Sequence, residues 1–142
     1  MAANPIFPAV PRAYWTTLTT GTTYKDGTTY ANIGFTAGGN GARIDQIKVR
    51  ALGTNAATVL RLYINNGGAT TTAANNSLIH ETTIAATTVS ETSAQVDNDI
   101  YLTRGTDTTP PIPYLPPSYR ILATLGTGVT SGLQLTIHGG DY

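Results

Sequence analysis

Thr58-Val59-Leu60-Arg61-Leu62-Tyr63-Ile64-Asn65 alternates: Leu60, Leu62 and Ile64 fall on one side, Arg61 and Tyr63 on the other. Side chains that change face at every residue belong to an extended strand. A helix would set Leu60 and Leu62 roughly 200° apart around its axis, which gives no common apolar face. The run closes on Asn65-Asn66-Gly67-Gly68, residues that tolerate the backbone angles of tight turns. One apolar and one polar face is the pattern of a strand in an antiparallel sheet, buried on one side and wet on the other.

The same period extends in both directions. In Arg43–Gly53, Ile47, Val49 and Ala51 oppose Lys48 and Arg50; Tyr119–Leu125 and Leu133–His138 alternate as cleanly. Ala13–Thr20, which holds Trp15, and Thr28–Thr36, Ser77–Ile84 and Gln95–Leu102 complete eight strand candidates. No segment sustains a helical period. Composition points the same way, since 27 of 142 residues are threonine, stiff at χ1 and better suited to strands. Two lysines and two glutamates leave little material for surface helices. The expected fold is therefore all-β, an antiparallel β-sandwich of jelly-roll type with about eight strands and an extended N-terminal arm. The arm is residues 1–12, where Pro5, Pro8 and Pro11 alternate with apolar Ile6, Phe7 and Val10; residues 13–142 form a single β-sandwich domain. A second proline-rich stretch, Thr103–Pro117, reads as a stiff crossover.

Several function classes are disfavoured by charge. Eight basic residues, balanced by eight acidic ones and scattered singly, make no stripe for phosphates, so no nucleic acid is expected as partner. The same scatter, with no apolar run near the ~20 residues of a membrane span, argues against a membrane. The first fifteen residues carry no basic segment followed by an apolar one, so no secretory leader is expected. Cysteine is absent, which excludes disulfides and thiolate metal sites. Little charge also means little repulsion between copies, and self-association is expected.

No constellation for catalysis stands out. His80 and Glu81 are adjacent in a strand and so point to opposite faces. His138 and Asp141 lie close in sequence, and a tail contact is the plainer reading. Asp97-Asn98-Asp99 lacks the further oxygen ligands that calcium needs. Gly126-Thr127-Gly128 has neither a following helix nor a lysine to hold phosphate and reads as a hairpin loop. The expectation is no catalytic residue, no cofactor and no metal.

Three blocks carry a resemblance: Val59–Gly67, Tyr114–Leu125 with its Tyr114-Leu115-Pro116-Pro117-Ser118-Tyr119-Arg120-Ile121 opening, and the ending His138-Gly139-Gly140-Asp141-Tyr142. Together they resemble the head decoration, or cement, proteins of tailed bacteriophages. That resemblance implies a small β-sandwich bound outside a capsid lattice that it stabilises, with no enzymatic residues. It implies the major capsid protein as partner, and a homo-oligomer, a trimer ahead of a dimer. It also implies a location on the virion surface after synthesis in the host cytoplasm. Candidate inter-subunit or capsid contacts are Ile6, Phe7 and Val10 of the arm, with Tyr114 and Tyr142 of the later blocks. The competing readings are another virion component (a tail, neck or fibre-associated sandwich) and a small carbohydrate-binding module, for which Trp15, Tyr24 and Tyr30 are the candidate aromatic platform.

Overall fold

The computed structural model describes residues 8–100 and 114–142. Among them are nine strands: β1 Val10–Leu18, β2 Asn32–Thr36, β3 Ala42–Ala51, β4 Thr58–Asn65, β5 Asn76–Ile84, β6 Asn98–Ile100, β7 Tyr114–Leu115, β8 Arg120–Leu125 and β9 Leu133–Asp141. The one helical element described is a single 3₁₀ turn, Ala73–Asn75. The strands form two antiparallel sheets. The first runs β1-β9-β3-β6, with β7 also on β3, and the second runs β2-β8-β4-β5. Because β9 takes one edge of β3 along its whole length, β6 and β7 share the other edge.

The pairing follows one rule. Counting β6 and β7 as a single interrupted strand, β1 pairs with β9, β2 with β8, β3 with β6/β7 and β4 with β5. A long hairpin rolled up in this way is the double Greek key of a jelly roll. The alternating residues of the sequence meet between the sheets, where Phe35, Leu60, Leu62, Ile121, Leu135 and Ile137 are fully buried. Tyr14 adds an edge-to-face contact to Phe35, ring centroids 5.0 Å apart.

Four expectations need correction. Strand β1 begins at Val10, so the last three residues of the expected arm are strand, paired from Val10↔Asp141 to Arg12↔Gly139. Pro11 is tolerated there because β1 is an edge strand, where one side of the backbone needs no partner. Strand β2 begins at Asn32 and not at Thr28: Asp26 accepts the Thr28 N–H at 3.0 Å in a local turn, and Tyr30 sits at φ +53°. Strand β9 continues past His138 to Asp141, and β8 and β9 belong to different sheets, so Gly126-Thr127-Gly128 crosses between sheets and closes no hairpin. Within the expected crossover, Tyr114–Leu115 pairs with Arg43 and Ala42. Pro116 follows this pair and, lacking an N–H group, keeps it short. Residues 1–7 of the arm and 101–113 of the crossover lie outside the described residues.

The two sheets differ on their outer faces. The first is polar and open. The second is covered by residues 19–31, the connection from β1 to β2. Thr22 N–H donates to Leu125 O at 2.7 Å, Asn76 Nδ2 donates to Asp26 O at 3.2 Å, and the backbone at Gly27 passes so close that a Cβ there would lie 3.0 Å from the Tyr63 ring. Tyr63, Leu122 and Thr124, outward-facing by strand parity, are in consequence fully buried. Arg61 goes under the same flap, donating from Nη1 to Thr22 O at 2.8 Å and from Nε to Glu81 Oε1 at 2.8 Å.

The expected acid response follows from the carboxylates. Hydrogen bonds from Arg61 and then Lys25 hold Glu81 below the usual carboxylate range. Arg50, followed by Lys48, does the same for Asp97, and Thr28 backbone and hydroxyl donors do it for Asp26. A carboxyl whose folded pKa is depressed contributes stability above its unfolded value and loses it as pH falls through the folded value. Denaturant unfolding should therefore show falling stability from about pH 5 to about pH 3. Glu81→Gln should flatten part of that slope; an unchanged slope would show that Glu81 contributes nothing to it.

Candidate interaction surface

Strand register gathers the candidate contacts at one end of the first sheet. Val10, Asp141, Ala42 and Leu115 occupy one row across β1, β9, β3 and β7; Pro11, Gly140, Arg43 and Tyr114 occupy the next. Ala42, Leu115 and Asp141 are buried, while Val10 (50%) and Tyr114 (56%) are exposed. Tyr142 follows β9, its N–H donating to Gly41 O at 3.2 Å, and its ring lies 5.7 Å from that of Tyr114. Gly41 is required here: its φ is +87°, and a Cβ would come within 2.7 Å of Leu115 O and 3.0 Å of the Tyr114 hydroxyl.

The N-terminal segment is pinned at this same end. Ala9 N–H donates to Asp141 O at 2.7 Å, and Pro8 packs over Gly140, where a Cβ would be 2.5 Å from the proline ring. The Asp141 carboxylate is the buried anchor, 2.5 Å from Arg12 Nε and accepting the Gly38 N–H at 2.9 Å. Asp141 thus holds the chain entry and the β2–β3 loop together; the tail contact expected with His138 is replaced by these partners. Val10, Tyr114 and Tyr142 are brought to one end of the sheet, whereas Ile6 and Phe7 lie outside the described residues. The role of Asp141 was missed from sequence, because its partners are 129 and 103 positions away.

The remaining polar groups are engaged structurally. Asp97 bridges Arg50 at 2.6 Å and Lys48 at 3.4 Å, and Asp99 accepts from Gln46 at 3.1 Å, so the Asp97-Asn98-Asp99 carboxylates serve the outer face of β3. Glu81 faces Arg61 and Lys25, away from His80 on the same strand. Among the described residues no group of three His, Cys, Asp or Glu side chains is placed to hold a metal ion, and no helix is long and apolar enough to cross a membrane. Every buried side-chain nitrogen or oxygen described has a hydrogen-bond partner.

No known family model matches the chain, and no curated protein matches it. One solved chain, from "Structure of infectious bursal disease virus Gx strain", is similar with a TM-score of 0.29 and 12% identity. The likeness covers 97% of this chain and 36% of that one, so this chain spans little more than a third of its length, and at that TM-score it carries no argument.

Proposed function

We propose that the protein is a non-enzymatic virion structural protein that decorates and stabilises a bacteriophage capsid, acting as a homo-oligomer, trimeric before dimeric. The observation that carries this reading is the gathering of Val10, Tyr114 and Tyr142 at the end of the first sheet where the N-terminal segment enters. Aromatic side chains with large contact area and few rotatable bonds are the usual anchors of protein interfaces. The sequence blocks that resemble cement proteins include two of these three residues, and low charge favours association. In this reading the apolar arm extends the contact onto a neighbouring subunit or the capsid. Pro5, in the part of the arm that precedes the Pro8 contact and β1, reduces the entropy lost on docking.

Cryo-microscopy of purified particles tests the location directly, with density for this jelly roll outside the shell expected. Deleting residues 2–7 spares β1 and should leave thermal unfolding of the isolated domain unchanged. It removes Ile6 and Phe7, whose burial contributes about 1.5–3 kcal/mol each, so particle affinity should fall roughly a hundredfold or more. Undiminished binding, or a monomer by light scattering at high concentration, would count against the proposal.

A further inference from the structure

Trp15, the single tryptophan of the chain, stands on the outer face of edge strand β1 and is 67% exposed. Its register neighbour across β9 is Thr136, followed by Lys48 on β3, so the indole is displayed among polar side chains. Thr17 projects from the same face two residues on, about 7 Å along the strand. There it lines a cleft of about 170 Å³ with Thr19, Thr20, Tyr30, Ala31 and Asn32, where β1 leaves the first sheet and β2 opens the second. Tyr30 is 58% exposed and sits at φ +53°, with Asn32 Nδ2 donating to its carbonyl at 3.2 Å. A tyrosine in the left-handed region is strained, and such strain concentrates where a side chain is held for a purpose.

The lining specifies a ligand chemistry. It offers hydroxyls, an amide and a flat aromatic ring, and no charged side chain. An anionic ligand would find no counter-charge, and an apolar peptide would find too little apolar wall. A sugar ring presents C–H groups that stack on aromatic faces and hydroxyls that both donate and accept. The volume lies well below the ~300 Å³ of drug-sized sites, which suits one ring. We infer that the Thr17–Tyr30–Asn32 cleft binds the terminal residue of a neutral glycan, with Trp15 stacking on the adjoining sugar. Tyr24, grouped with these two aromatics from the sequence, does not line the cleft. The site lies at the far end of β1 from Val10, so a subunit seated on a capsid through the Val10 end presents it outward. The inference goes beyond the capsid reading and does not rest on it.

A printed array of neutral and sialylated glycans identifies binders, and Trp15 fluorescence titrated with methyl glycosides of glucose, galactose, mannose and N-acetylglucosamine measures them. A saturable emission change with at least one neutral glycoside is expected, with none for sialic acid. Tyr30→Gly should weaken binding at least tenfold while thermal stability holds or rises, because glycine adopts positive φ without strain. Trp15→Ala, followed by saturation-transfer NMR, should weaken it likewise. Both variants should still bind particles, which separates this site from the capsid contact. No retained neutral glycan, equal retention of sialylated ones, or binding that survives both substitutions overturns the inference. So does a Trp15→Ala variant that keeps sugar affinity but loses self-association, since the indole is then a protein contact.

Discussion

Replacing Tyr63 with alanine should lower stability by about 3–5 kcal/mol, a drop of roughly 10 °C or more in the thermal midpoint. From alternation alone the expected effect is near zero, because Tyr63 shares the outward face of β4 with Arg61 and surface truncations are mild. The structure reverses that expectation. The ring is fully buried beneath residues 19–31, with its hydroxyl 3.4 Å from Thr124 Oγ1. Alanine would leave a void under the flap that the sheet backbone cannot close. The loss should appear in denaturant unfolding, and a change under about 1 kcal/mol would mean that the flap lifts readily from the sheet. Hydrogen exchange offers a second readout: amides of residues 19–31 should lose protection before those of β8 and β9.

Gly139→Ala should be comparably severe, about 3 kcal/mol or more, and for a different reason. Strand β9 is the interior strand between β1 and β3, and at Gly139 it passes a bulge in β3 between Ile44 and Gln46. The added methyl would overlap Arg43 O, a backbone atom fixed by its own ladder. Relief would require parting β3 from β9. Gly140→Ala provides the contrast: its nearest obstacle is the Pro8 ring, a side chain that precedes β1, and the nearest backbone atom, Val10 O, would lie 3.2 Å away. That variant should stay folded with a midpoint shift of only a few degrees, while its N-terminal segment becomes more accessible to protease. If both alanines are equally mild, the close approach of β3 and β9 is not the reason for the glycine.

These two cases mark what alternation conveys. It located β4 and β8 to within a residue, because each residue's face is decided locally by strand geometry. It also assigned the inward side of both correctly, since apolar Leu60, Leu62, Ile121 and Leu125 had to meet something. It did not reveal that the second sheet is covered on both faces. That depends on where a thirteen-residue connection of Thr, Gly and Tyr lies, and such a segment has no period of its own. Nor did it extend β9 through Gly139-Gly140, since glycine pairs ordinarily read as turns and here mark backbones in close approach. The grouping of the candidate contact residues was legible only in part. Tyr114 and Tyr142 could be singled out as aromatics in proline- and glycine-rich surroundings, but their stacking depends on β7 and β9 flanking β3. Asp141 left no signal, because a carboxylate near a chain end is ordinarily solvated.

The position of β9 also sets a schedule. Its nine residues follow the other described strands in chain order, yet in the first sheet they lie between β1 and β3, which do not pair with each other. Until residues 133–141 leave the ribosome, β1 and the facing edge of β3 remain unpaired and sticky. Emergence of β9, and not of the early strands, is then the event that commits the domain to its fold. Pulse-labelled nascent chains stalled before residue 133 should be protease-sensitive and captured by chaperones, while chains that expose residues 133–141 should mature in one step. The stickiest edges of the first sheet would in this way close only when β9 arrives between them.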